Sequence, residues 1–383
     1  MKSGWLLACD SSAYTSSWAA VYALIDGGYP PPNPRLPPHE HVRGDPESNR
    51  QSLYTASEAP LLRHSSCCGV EARFYHSMGE RSSWASTRDT LIHEVRQLLP
   101  VELGELGLRQ SEALFWHLKQ LPVLLQQLQR PSYPPLAVAA SSKPRPAADS
   151  YMPVFIAGAK LAEALAVAWG VPFFSFSHQE GHIMAGVVSA GGPTEPSFLA
   201  LHLSGGTTEL LKVTRTATGF NEELLGGSLD LHVGQLVDRV GVALGLPFPA
   251  GPHLEQLARE APTPDASSSW ALPSYCQNMQ VSFSGAEAAA KRALALGVPP
   301  AVICRGVERC IAATLEKLLR QGAAVTGLHN FLLVGGVASN LYLRQRLEHR
   351  LKGRATLWFA EPKLCSDNAV GIAWLGLQQW RTS

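Results

Sequence analysis

The chain has little net charge, no long apolar run and no paired-cysteine motif. Its 32 basic and 31 acidic residues leave +1 at pH 7 across 383 residues. No global field therefore draws it to nucleic acid or to an anionic membrane, and such a partner has to be met by a local patch or a helper protein. No stretch reaches the ~18 consecutive apolar residues of a membrane span. The N-terminus runs from a short apolar segment straight into Asp10 without a basic leader region. The expectation is a soluble, cytoplasmic protein with no membrane partner. Seven cysteines, an odd number without a CxxC pair, argue against a disulfide framework or a cysteine zinc site and fit reduced thiols. Charged residues are only 16% of the chain against 45% hydrophobic, which excludes general disorder and describes a packed globular protein.

The length exceeds the ~250–300 residues at which a single core stops growing, so two domains are expected. "WLLACDSSAYTSSWAAVYAL" and "FLALHLSGGTTELLKVT" each set a turn of small residues, around Asp10 and Ser12 in one and Ser204, Gly205 and Gly206 in the other, between two strand-like runs. The same unit thus occurs near the start of each half. A third segment, "FLLVGGVASNLYLRQRLEHRL", ends a buried strand in Gly335 and Gly336 and enters a helix, which aims backbone N–H groups and the positive helix end at whatever lies there. Between these units, "SEALFWHLKQLPVLLQQL" with a kink or break at Pro122, "FIAGAKLAEALAVAWG" and "ICRGVERCIAATLEKLLRQGA" carry helical spacing of apolar residues. The sum is an α/β protein with mixed sheets. Residues 27–93, proline-dense and without periodicity, read as an exposed insertion in the first domain, a tolerated loop in preference to a regulatory arm.

Two patterns carry chemistry. In "HQEGH", residues 178–182, histidines four apart share one helix face and can reach one cation, although the same spacing also occurs on an ordinary helix surface. Glu180 lies roughly 200° around the helix from each histidine, so it is poorly placed as the base of an HExxH-type protease. The two hydroxyl-bearing turns and the Gly-Gly turn together suit a phosphate and nucleoside clamp, since glycine lets backbone N–H groups approach phosphate oxygens. Either turn alone is equally an ordinary tight hairpin.

Read in order, "HQEGH", "LSGGTTEL", "GGSLDLHVGQLVDRVGVALGLPFPAGPHLEQLA", "VSFSGAE", "LLVGGVASN" and "CSDNAVGIAW" resemble the TsaD threonylcarbamoyl-transferase family that modifies tRNA, a branch of the actin-like ATPase superfamily. The likeness runs from about Pro153 to the end and is fainter over residues 1–26 and 94–124. It implies two actin-like (RNase H-like) domains with mixed sheets flanked by helices, 1–196 and 197–383. The ligand site would lie in the interdomain cleft, with the last helix packing back on the seam. It implies one divalent metal, Fe(II) or Zn(II), on His178, His182 and Asp367, and an adenylate on Ser204, Gly205, Gly206, Asp238, Gly251 and Asn340. The implied reaction moves a threonylcarbamoyl group from threonylcarbamoyl-AMP to the N6 amine of the tRNA adenosine next to the anticodon. The family's partners are a smaller actin-like paralogue and an ATPase subunit; ATP or AMP would also bind.

The chain departs from the family at several places. Thr207 replaces the histidine of "SGGHT", Leu231 an aspartate, Gln235 a glutamate, Arg239 a lysine, and Glu287 the lysine after "FSFSG". The "AGPGL" loop is rebuilt as "SSKPRPAADSYMP", whose Lys143 and Arg145 could serve a phosphate or tRNA backbone or simply be solvated. Ala13 and Tyr14 stand where the family has a cysteine and an acid nearby. A transferase and a non-catalytic nucleotide- and metal-binding paralogue with a regulatory or scaffolding role both fit this pattern.

Overall fold

The computed structural model describes residues 4–23, 71–76, 90–262 and 271–383; most of the 27–93 insertion lies outside them. The first sheet is built from β1 (Gly4–Ser11), β2 (Thr15–Ala23), β3 (Glu71–His76), β4 (Thr90–Leu98), β5 (Ala137–Lys143) and β6 (Phe173–Ser177), in the order β3-β4-β2-β1-β5-β6. The second contains β7 (Ser197–Leu203), β8 (Thr208–Arg215), β9 (Phe220–Ser228), β10 (Tyr275–Gln277), β11 (Gln280–Ser282), β12 (Asn330–Val334) and β13 (Thr356–Phe359), in the order β10-β11-β9-β8-β7-β12-β13.

Within both sheets one motif recurs. β1, β2 and β4 form an antiparallel meander, and β5 and β6 add parallel to β1; β7, β8 and β9 repeat the meander, and β12 and β13 add parallel to β7. Two mixed sheets that share this five-strand order are the actin-like arrangement, and the two strand-turn-strand units in the sequence are its first hairpins. β1 lies at the centre of its sheet, and all eight of its residues are buried, as a near-continuous apolar run predicts for a strand covered on both faces.

The helices are α1 (Gln110–Gln127), α2 (Pro153–Trp169), α3 (His178–Ala190), α4 (Val233–Ala243), α5 (Gly251–Ala258), α6 (Ser284–Ala295), α7 (Pro300–Thr326), α8 (Leu341–Leu351), α9 (Pro362–Cys365) and α10 (Val370–Thr382). The expected kink or break at Pro122 does not end α1, which runs through it. Both Pro122 and Leu118, whose carbonyl loses its partner, are exposed, so water can take the freed bond. One face of the first sheet packs Trp5, Leu7 and Trp18 against Leu121 and Leu124 of α1 and Ala162 of α2. The other packs Leu6, Ala8 and Ala19 with residues of α10.

The position of α3 follows from its composition. Met184 and Ala185 belong to the core under the first sheet, while Ile183 and Val187 belong to the core of the second. A helix apolar on two sides is thereby shared by both cores, and its N-terminal turn carries "HQEGH". Helix α10 crosses it at glycine: a Cβ on Gly371 would lie 1.8 Å from the Gly181 carbonyl oxygen. Only the absence of side chains lets these backbones touch.

Candidate metal and nucleotide site

Strand β6 ends in Ser177, which starts α3. The Ser177 hydroxyl accepts from the Glu180 backbone N–H, and Glu180 returns its carboxylate to the Ser177 N–H at 2.7 Å. This capping box gives Glu180 a local task and orients the first turn. His178 and His182 then present Nε2 atoms 3.1 Å apart. Asp367, in the loop between α9 and α10, places Oδ1 3.1 Å from His182 Nε2 and 3.3 Å from His178 Nε2. The three ligand atoms lie within 4.8 Å of one another.

The spacing suits a cation. Ligand atoms each ~2.1 Å from one ion stand ~3.0 Å apart at a right angle and ~3.4 Å apart at a tetrahedral angle. The observed separations fall between these limits, and a two-histidine, one-carboxylate set is a donor set for Fe(II) or Zn(II).

Further residues orient the ligands. Asp10 accepts from His178 Nδ1 at 3.0 Å and from the Ser141 hydroxyl, a carboxylate–histidine support that leaves Nε2 as the ring nitrogen toward His182 and Asp367. Burial alone would lower the His178 pKa, but the Asp10 and Asp367 carboxylates outweigh it and push it up to about 10. A cation at Nε2 thus competes with a proton. Burial would likewise raise Asp367; the two histidines instead hold its carboxyl well below the usual range. Ser12 donates its hydroxyl to Asp367 Oδ2. The Ser12 carbonyl in turn accepts from Nε2 of fully buried His117, on α1, at 2.7 Å. Arg96 of β4 donates to the backbone carbonyls of Lys363 and Asp367 and to Ser366 Oγ.

A second polar group abuts this trio. The His202 ring lies 4.7 Å from that of His182, and Gln179 donates to His202 Nδ1 at 3.4 Å and to Glu209 at 2.8 Å. Burial, and then His182 and His178, hold the His202 pKa well below the usual histidine range, so its ring is neutral. Arg145 pairs with Glu209 at 2.6 Å, whereas Lys143 Nζ bonds the Pro146 and Ala147 carbonyls of its own loop. The rebuilt loop is also tied to the ligand helix, since the Gln179 N–H donates to the Pro144 carbonyl at 3.0 Å.

The other expected contacts are distributed as follows. Ser204 opens the β7–β8 turn, its N–H bonded to the Thr207 carbonyl at 2.8 Å and its own carbonyl accepting from Gly234 at 3.2 Å. A Cβ on Gly206 or Gly336 would meet no atom of the described residues within 4 Å, so both glycines border open space where a phosphate can approach backbone. Asp238 Oδ1 accepts from the Ala250 N–H at 2.8 Å, next to Gly251 at the start of α5. Burial raises the Asp238 carboxyl to about 6, which leaves it ionised at neutral pH. Asn340 uses both ends of its amide within the protein: Oδ1 caps α8 at the Leu343 N–H, and Nδ2 donates to Glu308 at 2.8 Å. Leu231 is 5% exposed and part of the second core.

Sequence reasoning singled out none of His202, His117 or Arg96. His202 had a legible signal, an imidazole in a mostly apolar strand just before the Ser204–Gly206 turn. His117 and Arg96 had none, because nothing local marks their partners.

The two mixed sheets define an actin-like protein, and the His/His/Asp cluster is a group that could hold a metal ion. Residues 150–374, more than half of the chain, match the family described as TsaD, tRNA N6-adenosine threonylcarbamoyltransferase, and the protein belongs to that family. Among solved structures, it is similar to T.kodakarensis HypF (15% identity, TM-score 0.47, 75% of this chain and 46% of that one). It is also similar to full-length HypF in the phosphate- and nucleotide-bound form (12%, 0.45, 76% and 52%). A third is the activator of the 2-hydroxyisocaproyl-CoA dehydratase from Clostridium difficile with bound ADPNP (12%, 0.43, 75% and 87%). The chain spans about half the length of the two HypF chains.

Proposed function

We propose that this protein binds one divalent metal, Fe(II) or Zn(II), and an adenylate between two units, 1–196 and 197–383. With them it moves a threonylcarbamoyl group from its mixed anhydride with AMP to the N6 amine of the tRNA adenosine beside the anticodon. The observation that carries this reading is the convergence of His178 and His182 with Asp367, which lies 185 residues beyond His182, in a chain of this family. When bound, the metal supplies a Lewis acid beside the acyl phosphate.

The protein's own share is binding and orientation. The turn at Gly205 and Gly206 receives the phosphate, with the Gly206 N–H also donating to Ser204 Oγ at 3.3 Å. Asp238 keeps one carboxylate oxygen for the ribose hydroxyls while the other holds Ala250, and Gly251 leaves room for the nucleoside. Because the acyl group arrives already activated, holding it against the incoming amine accounts for most of the catalysis. With a net charge of only +1, delivery of tRNA falls to partners in the cytoplasm, a smaller actin-like paralogue and an ATPase subunit. The second reading, a non-catalytic paralogue, is favoured by one observation: apolar Leu231 is packed in the core where the family has a carboxylate.

Metal analysis and tRNA nucleoside analysis test both readings. The wild-type protein is expected to carry about one transition ion, with His182→Ala and Asp367→Ala nearly empty, since losing one of three ligands leaves too few to hold it. A strain lacking the gene is expected to lose the modified nucleoside. Equal metal content in all three proteins overturns the metal assignment. An undiminished nucleoside leaves only the non-catalytic reading.

A further inference from the structure

Tyr14 sits in the turn between β1 and β2, and its main chain is fixed by the Leu99 N–H, which donates to the Tyr14 carbonyl at 2.8 Å. The ring is enclosed on three sides. Phe248 meets it edge-on at 5.1 Å between centroids. A Cβ on Gly205 would come within 3.7 Å of its Cε2, and one on Gly107 within 2.9 Å of its Oη. The phenol is thus held against the turn that faces the phosphate. Two residues earlier, Ser12 bonds Asp367. The ring thus lies beside Gly205 and beside Phe248, two residues before Ala250, whose N–H donates to Asp238. Among the described residues its hydroxyl has no hydrogen-bond partner.

An ionised carboxylate near this position, as in the family, repels a phosphate, whereas a neutral phenol can donate to one. The same chain has lost the histidine donor of the adjoining turn, where Thr207 is 9% exposed. We propose that Tyr14 is a substrate-contacting residue, its hydroxyl donating a hydrogen bond to a phosphate oxygen of the bound adenylate in a turn region where the family's imidazole is replaced by Thr207. The phenol remains protonated in this role, because burial and then the Asp238 and Asp367 carboxylates raise its pKa. The inference rests on the adenylate reading above.

Calorimetry with AMP and with adenosine, on the wild type and on Tyr14→Phe, tests it. The phenylalanine keeps the ring packed on Phe248 and removes only the donor. A hydrogen bond to a charged group predicts that Tyr14→Phe loses about ten- to a hundredfold in AMP affinity. Adenosine affinity, metal content and the thermal midpoint are expected to stay at wild-type values. Unchanged AMP affinity overturns the assignment while leaving the adenylate reading intact. An equal loss for AMP and adenosine, or a lowered thermal midpoint, also overturns it by assigning Tyr14 a nucleoside or structural role. A wild-type protein that binds neither ligand overturns both this inference and the adenylate reading.

Discussion

Replacing Gly371 by alanine puts a methyl group where α10 crosses α3. The added Cβ would lie 1.8 Å from the Gly181 carbonyl oxygen, 2.7 Å from its carbon and 2.9 Å from the Ala185 nitrogen. All three are backbone atoms of the helix that carries His178 and His182, so no side-chain rotation relieves the contact. Bringing the closest pair even to 3.0 Å requires the helices to part by at least about 1.2 Å. Overpacking of this kind costs typically ~1–3 kcal/mol, and the rigid surroundings place it at the upper end. Alanine returns only ~1 kcal/mol through helix propensity, so a net loss of about 2 kcal/mol or more is expected.

Asp367, four residues before Gly371, is anchored to the other side by Ser12 and Arg96. The parting therefore opens the ligand trio by far more than the ~0.2 Å that metal–ligand distances tolerate. Gly181→Ala is the milder comparison: its Cβ meets Ile372 Cδ1 at 2.9 Å and Cγ1 at 3.1 Å, side-chain and not backbone atoms, so a smaller loss of ~1 kcal/mol is expected. Denaturant unfolding and metal analysis read the two effects separately. A Gly371→Ala protein with the wild-type midpoint and metal content would refute the reasoning.

Two more outcomes are expected. Burial, and then Glu180 and Glu209, push the Glu222 carboxyl up to about 8, and neither of its oxygens has a partner among the described residues. The folded protein thus keeps a proton that the unfolded chain releases near pH ~4.3, and stability falls as pH rises from about 4 to about 8. Glu222→Gln is expected to match the wild type near pH 4 and to exceed it by a few kcal/mol at pH 8; parallel denaturation curves across that range contradict the assignment. Gly335 has φ +92° and a would-be Cβ 2.3 Å from the Leu203 carbonyl oxygen, so Gly335→Ala combines backbone strain of ~1–3 kcal/mol with displacement of the strand end before Ser204. Lower stability and weaker adenine-nucleotide binding are expected together, and calorimetry showing wild-type binding in a destabilised protein would separate the turn from the ligand.

What the sequence determines by itself is local. Alternating apolar runs around small turns specify the two hairpins, because strand periodicity and turn chemistry act over a few residues. The Ser177–Glu180 capping box and the i,i+4 spacing put both histidines on one face of α3 for the same reason. The position of Asp367 was legible only through the family resemblance, since nothing near residue 367 refers to residue 182. Tertiary structure decides that meeting: α3 is apolar on two sides and enters two cores, the Gly181–Gly371 crossing brings α10 against it, and Arg96 and Ser12 hold the intervening loop. Tertiary structure also gives His202 its place against His182, and it brings Arg145 and Gln179 together on Glu209. It engages Asn340 with Glu308 and sets Tyr14 between Phe248 and Gly205. Each of these contacts joins segments far apart in the chain, and their pairing depends on how whole surfaces fit, which no local pattern encodes.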